Sequence, residues 1–343
     1  MARARLTKSF SLLLTSDIKK PITPCWRGPS MHPFIHARTN PDKPAIIVAE
    51  TGATISYGEL DAASNRVAQL FRAHGLGHDD VVAFMLDNTP DYYGLTWGAQ
   101  RAGLRYVCIS SRLTQDETDY ILENSGAKLL VVSASLAAAA QVLTTQIERF
   151  AMGGAIPGYK SWEEAVAAMP TTPIADERAG VDMLYSSGTT GRPKGVRVPL
   201  PEDPAIDATN SLVMLAAGVF QMNADSVYLS PAPLYHAAPL RWSMTVHRLG
   251  GTVVLMKKFD PEAALAFIEK YRVNSSQWVP THFVRMLKLP EEVRAQYDLS
   301  SLKVAIHAAA PCPIPVKQAM IDWWGPVLFE YYAGSEGNGM TFV

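Results

Sequence analysis

The chain has 343 residues, a formal net charge of −1, 48% hydrophobic and 18% charged residues, and a pI near 6.7. That length can bury two domain-sized cores, the composition excludes a disordered chain, and the balanced charge gives no field that would draw nucleic acid. Cys25, Cys108 and Cys312 lie far apart, with no CxxC and no histidine at ligand spacing, which argues against a disulfide framework or a zinc site and for reduced thiols in the cytoplasm.

Residues 1–30 carry Arg3, Arg5, Lys8, Lys19, Lys20 and Arg27 against one acid, Asp17. The apolar piece FSLLL is shorter than a secretory h-region, so the stretch reads either as a basic leader or as a non-native extension ahead of a start at Met31. From residue 45 short apolar runs alternate with helix-period segments. AIIV (45–48) reads as a strand; Ser56 and Glu59 form a capping box; Leu60, Ala63, Val67, Leu70 and Phe71 carry the helix to Gly75. VVAFML (81–86), YVCIS (106–110) and KLLVV (128–132) read as buried strands. A helix runs from about Asp91 to Gly103, and a second capping box, Thr114 with Glu117, opens a helix that Gly126 ends. Residues 134–176 are Ala-rich and then rich in Gly and Pro, and read as a join. A second series follows, with strands at 183–186, 226–230, 252–256, 275–279, 303–308 and 326–331 and helices at 262–271 and 316–324. The longest plain apolar run, 212–220, is well short of the ~20 residues a membrane-spanning helix needs, which leaves only peripheral lipid contact open.

Strand–helix–strand spacing of this kind predicts an α/β fold with a parallel sheet covered by helices on both faces. The expected division is 31–175 for a first α/β subdomain and 176–343 for a second, incomplete one. The chain stops inside an apolar run, GMTFV, which reads as a truncation.

The stretch YSSGTTGRPKGV (185–196) follows a predicted buried strand. Gly188, Gly191 and Gly195 allow positive φ and close approach to a ligand. Ser186, Ser187, Thr189 and Thr190 offer hydroxyls, and Lys194 and Arg192 offer cations. Backbone N–H groups, hydroxyls and cations together suit a polyphosphate. A Walker A loop is excluded, because Pro193 precedes Lys194 and Gly195 follows it where a Ser or Thr is required.

The stretch resembles the AMP-binding signature of the adenylate-forming superfamily of acyl-CoA synthetases, luciferases and peptide-synthetase adenylation domains. IHAAAPCP (306–313) resembles the adenine-pocket wall, and YYAGSEG (331–337) resembles the aromatic-Gly-x-Thr-Glu motif, with Ala333 for the usual Gly and Ser335 for the usual Thr. The resemblance runs from about Met31 to the end. It implies two stacked, helix-covered, mostly parallel sheets of the large N-terminal domain of that superfamily, with the C-terminal part missing. It also implies ATP-dependent activation of a fatty or aryl carboxylic acid to an acyl-adenylate and then to an acyl-CoA, with Mg²⁺ and coenzyme A. Residues 187–194, with Ser186, would hold the departing phosphates; Ala309, Ala310 and Pro311 would wall the adenine. Tyr332 would stack on it, Ser335 would meet the α-phosphate, Gly334 would belong to the same nucleotide site, and Glu336 would hold Mg²⁺.

His236, in SPAPLYHAAPLRW, falls at the mouth of the implied carboxylate pocket, so Lys194, His236 and Glu336 are the expected catalytic residues. Peptide-synthetase domains commonly carry Phe-Asp near this point, the Asp pairing with an ammonium. Tyr235-His236 offers no such counter-ion, which points away from amino acids. Trp278, Val279 and Pro280 read either as pocket wall or as core, and Lys258 is a weak candidate for the CoA phosphates. The superfamily's downstream Thr-Gly-Asp, hinge and C-terminal domain with its Lys are absent before Val343, so the chain is expected to be impaired alone. A non-catalytic nucleotide or acyl-adenylate binding module, or an adenylation domain loading a carrier protein, remain the alternatives; oligomeric state is not legible.

Overall fold

The computed structural model describes residues 30–186, 192–333 and 340–342. Within them the chain builds two large sheets and a small hairpin. The first sheet has six strands in the order Lys160–Ser161, Glu148–Met152, Ala127–Ser133, Val81–Met85, Arg105–Cys108 and Val181–Asp182, and every pairing is parallel. The second has eight, in the order Met340–Phe342, Leu328–Ala333, Val304–His307, Ser275–Trp278, Val227–Ser230, Thr252–Leu255, Pro44–Val48 and Thr54–Ser56. It is parallel except at its two ends, where Thr54–Ser56 and Met340–Phe342 run antiparallel to their neighbours. Three strands cross the 175/176 division: Pro44–Val48, with Thr54–Ser56 beside it, pairs with Thr252–Leu255, and Val181–Asp182 pairs with Arg105–Cys108.

Local chemistry sets the helix ends. Both expected capping boxes form, at Ser56–Glu59 for helix Tyr57–Ala73 and at Thr114–Glu117 for helix Gln115–Ser125, which ends on a left-handed Gly126. The expected helices at 262–271 and 316–324 appear as Pro261–Lys270 and Ile314–Trp324. Residues 134–176 differ from the expected join, because they include the strand Glu148–Met152. Its first two positions are charged and only partly buried, which masks the apolar run that marks the other parallel strands.

Helices Asp91–Arg101 and Ala237–Leu249 lie between the two sheets. Every residue of the first helix after Asp91 is buried, as is nearly all of the second from Pro239 onward. Trp97 Nε1–H donates to His247 Nδ1 (3.3 Å) between the helices. Trp242 Nε1–H donates to Tyr331 Oη (3.1 Å) on the eight-stranded side, and Tyr106 Oη donates to Met244 Sδ (3.7 Å) on the six-stranded side. One continuous apolar cluster therefore joins both sheets through these helices. Its packing is close enough to need glycine: a Cβ at Gly98 would sit 2.4 Å from Val67 Cγ1 of the neighbouring helix.

Candidate active site

The candidate residues of the eight-stranded sheet gather along its C-terminal edge, where ligands bind in parallel α/β sheets. His236 follows strand Val227–Ser230 through a short loop and caps the N-terminus of helix Ala237–Leu249. Its backbone N–H donates to Pro233 O (3.2 Å), closing a tight turn, and the Tyr235 ring packs 4.4 Å from the imidazole, centroid to centroid. His236 keeps an exposed surface, yet the protein around the ring desolvates it and lowers its pKa below the ordinary histidine value; the charge of Arg112 adds in the same direction. The imidazole is therefore neutral at neutral pH and free to accept a proton or a hydrogen bond.

Two residues that the sequence reading passed over help to shape this corner, and both come from the other sheet. Arg112 lies beyond the exit of strand Arg105–Cys108. Asn88 lies just beyond Val81–Met85, and its side-chain amide binds the backbone at Leu234, Ala232 and Met256. The sequence DNTP around Asn88 carries only an ordinary turn signal.

The expected buried strand at 183–186 is instead a short, half-buried strand, Leu184–Ser186, paired antiparallel with Lys194–Val196. The two flanks of the motif stretch, Leu184–Ser186 and Lys194–Val196, thus pair with each other, with Lys194 in register with Ser186. The physical reason is its composition: a run dense in Gly, Ser and Thr carries too little apolar surface for a central strand. Gly195 is not at positive φ; a Cβ there would sit 2.8 Å from Tyr185 Cζ, so glycine makes room for that ring. Arg192 is turned from the expected phosphate role to lie over the Tyr120 ring, 5.1 Å from its centroid. The hairpin is tied to the six-stranded side. Tyr185 Oη donates to Asn124 Oδ1 (2.7 Å), Arg197 pairs with Asp79 (2.9 Å), and Arg105 donates to Val198 O (2.5 Å). Lys194 is exposed.

The adenine-wall stretch follows strand Val304–His307. Ala309, Ala310 and Pro311 are exposed, and Ala309 has φ +76°, a left-handed conformation that costs a residue with a Cβ. Beneath them His307 is buried, its Nδ1 3.9 Å from Glu330 Oε1, which is too long for a hydrogen bond. Burial lowers the His307 pKa, Glu330 opposes this, and Lys317, which is bonded to Glu330, adds to it. On the next strand, Leu328–Ala333, Tyr331 is buried against Trp242 while Tyr332 is 76% exposed, an open aromatic face beside the wall. Trp278 is fully buried among Phe259, Phe283 and Trp324, so it is core. Lys258 is exposed.

Ser187, Gly188, Thr189, Thr190, Gly191, Gly334, Ser335 and Glu336 lie outside the described residues, as does the side chain of Ser186. Among the described residues no group of three or more His, Cys, Asp or Glu is placed to hold a metal ion, and no helix is long and apolar enough to cross a membrane. Two shallow surface depressions, one around Arg149 and Lys160 and one around His78 and Asp203, contain none of the candidate residues. The edge of the eight-stranded sheet, where His236, residues 309–311 and Tyr332 lie at or beyond the ends of nearby strands, is the better candidate.

Two helix-covered, mostly parallel sheets with the described candidate residues near strand ends make an α/β fold of the kind that takes ligands at the C-terminal ends of its strands. The chain belongs to the AMP-binding enzyme family, whose model matches residues 34–343. It is 32% identical over 276 residues to 4-coumarate–CoA ligase 3 of Oryza sativa subsp. japonica, covering 78% of this chain and 49% of that protein. It is 31% identical over 317 residues to feruloyl-CoA synthase of an Amycolatopsis species, covering 92% of this chain and 60% of the relative. The chain thus spans about half to three-fifths of the length of these relatives. Among solved structures it resembles the acyl-CoA synthetase of Brucella canis, with a TM-score of 0.77 at 24% identity over 90% of this chain and 58% of that one. It also resembles ATP-bound MatB of Rhodopseudomonas palustris, with a TM-score of 0.71 at 26% identity over 91% and 62%. The likeness to the Brucella canis enzyme bears out the expected fold of two stacked, mostly parallel sheets.

Proposed function

We propose that this chain carries the nucleotide- and acid-binding part of a cytoplasmic acid–thiol ligase. The reaction joins a fatty or aryl carboxylic acid to ATP as an acyl-adenylate and then passes the acyl group to coenzyme A. One observation carries the reading: the His236 turn, the 309–311 wall and the open face of Tyr332 share the C-terminal edge of one sheet. The residues present suit such ligands. The wall is small and exposed, Tyr332 offers a flat face, and Lys194 is an exposed cation at the base of the motif hairpin.

In the first step a carboxylate oxygen attacks the α-phosphorus of ATP, a P–O bond forms, and pyrophosphate leaves with the electrons of the bond that breaks. Charge gathers on phosphate oxygens, so the protein acts by positioning and electrostatics. Lys194 and the hairpin tip stabilise the departing phosphates. Neutral His236 faces the incoming acid without adding a buried charge. Glu336 would hold Mg²⁺, which would supply further neutralisation of the phosphates. In the second step the thiol of coenzyme A displaces AMP.

The test is calorimetric titration of the chain with ATP and a panel of cinnamic, benzoic and fatty acids, together with acid-dependent exchange of labelled pyrophosphate into ATP by the full native polypeptide. The expected results are ATP binding by the chain, exchange that depends on an aryl or fatty acid, and loss of acid affinity with ATP affinity retained in His236→Ala. No ATP binding, or exchange driven by amino acids alone, would refute the reading.

A further inference from the structure

We propose that Asn88 is the positioning residue for the His236 turn, so that a side chain of the six-stranded sheet sets the geometry of a catalytic corner built on the eight-stranded sheet. The inference rests on the assignment of His236 to the acid site.

Asn88 stands just past the C-terminal end of Val81–Met85, an inner strand of its sheet. Its Oδ1 accepts the backbone N–H of Leu234 (2.9 Å). Its Nδ2 donates to Met256 O (2.7 Å) and at longer range to Ala232 O (3.4 Å). Ala232 and Leu234 bracket Pro233, whose carbonyl closes the turn onto His236 N–H. Met256 is the first residue beyond Thr252–Leu255, the strand beside Val227–Ser230. One amide therefore spans the exits of two adjacent parallel strands and fixes the loop between the second of them and helix Ala237–Leu249.

The partners fix the orientation of the amide. Turned over, its NH₂ would face the Leu234 N–H and its oxygen would face two carbonyls. No other residue type of this size supplies an acceptor for Leu234 and a donor for Met256 at once. Aspartate keeps the shape and the acceptor but sets lone pairs against the carbonyls. Alanine leaves the Leu234 N–H and the Met256 carbonyl without these partners, and unmade bonds at buried groups are costly. Leu234 is fully buried and Met256 likewise, so water does not readily replace the amide. Loss of the clamp frees the 232–236 turn, and with it the ring of His236, while the core histidines stay where they are.

The test follows the imidazole signals of the protein's eight histidines by nitrogen-edited NMR in the unaltered chain, Asn88→Ala and Asn88→Asp. The expected result in both variants is a displaced His236 signal that titrates closer to an ordinary histidine, with His247 and His282 unchanged. Binding of a carboxylic acid weakens by about tenfold while ATP affinity holds. An unmoved His236 titration in the folded variants overturns the proposal. A moved His236 with unchanged acid affinity leaves the clamp standing and instead refutes the placement of His236 in the acid site. Hydrogen exchange of the Leu234 amide in the unaltered protein needs no variant: protection like that of the strand cores supports the clamp, and exchange at the rate of an open loop overturns it.

Discussion

Replacing Ala309 with glycine should stabilise the protein. Ala309 holds φ +76° in the stretch assigned to the adenine wall. For a residue with a Cβ, the left-handed region costs about 1–2 kcal/mol. Glycine removes that cost but gains conformational freedom in the unfolded chain, worth about 0.4–1 kcal/mol in the opposite sense. Ala309 is exposed, so its methyl group contributes no buried contact to be lost. The balance is a gain of about 0–1.6 kcal/mol, with about 0.8 kcal/mol at its centre. Urea unfolding of the two proteins, followed by tryptophan fluorescence, measures it as a higher midpoint at unchanged slope. ATP affinity should be preserved, because the backbone path of the wall is the one glycine adopts most readily. A lowered midpoint at equal slope would mean that the left-handed conformation is not strained, and the reasoning would fail.

Three further outcomes follow from the packing. His247 is buried between Trp97 Nε1–H and Ala45 O, and burial lowers its pKa to about 3; His282 is lowered to about 4 by burial and then by Arg285. Both bind protons more weakly folded than unfolded. Their stabilisation is therefore complete above the unfolded value near ~6.5 and is lost as pH falls toward the folded values, at up to about 1.4 kcal/mol per pH unit for each. Urea midpoints at a series of pH values between 7.5 and ~5 test this, and a flat profile would contradict it. Gly98→Ala drives a methyl into Val67 and should cost about 1–3 kcal/mol, read as a lowered midpoint. Asp182→Asn removes the partner of Arg241 (2.9 Å) from a site where Arg241 is one-third exposed, so the loss should be about 1–2 kcal/mol, and an equal loss in Arg241→Ala/Asp182→Asn together would show the two act as a pair.

What the sequence made legible was local chemistry. Ser56 with Glu59 and Thr114 with Glu117 announce helix starts because both partners sit within one turn. The runs at 81–86 and 128–132 announce buried strands because both faces are apolar. Pairing was another matter. Nothing near Pro44–Val48 says that it lies beside Thr252–Leu255, since parallel partners are fixed by packing across two hundred residues. The strand Glu148–Met152 was hidden by Glu148, which serves His74 (2.6 Å) and Lys160, so its polarity reflects partners absent from the local sequence. The same holds at the candidate site. The residue types of the motif hairpin and the wall were legible, and so was His236. Asn88 was not, because its role consists entirely of backbone groups contributed by another sheet.

The distribution of anchors gives the nucleotide a structural consequence. The motif hairpin is tethered to the six-stranded side through Asn124, Asp79 and Arg105. The wall and Tyr332 extend from strands of the eight-stranded sheet. A ligand that lays its phosphates on the first and its base on the second would bridge the two sides, as Asn88 does through Leu234 and Met256. Binding free energy of such a ligand adds directly to the free energy holding the sheets together, because the separated or unfolded chain offers no comparable site. The strain at Ala309, the unpaired Nδ1 of His307 and the solvent-facing Tyr332 all lie on the eight-stranded side of that bridge. The strain at the 309–311 stretch is thus carried by one sheet, while the motif hairpin is held by ordinary hydrogen bonds and ion pairs on the other.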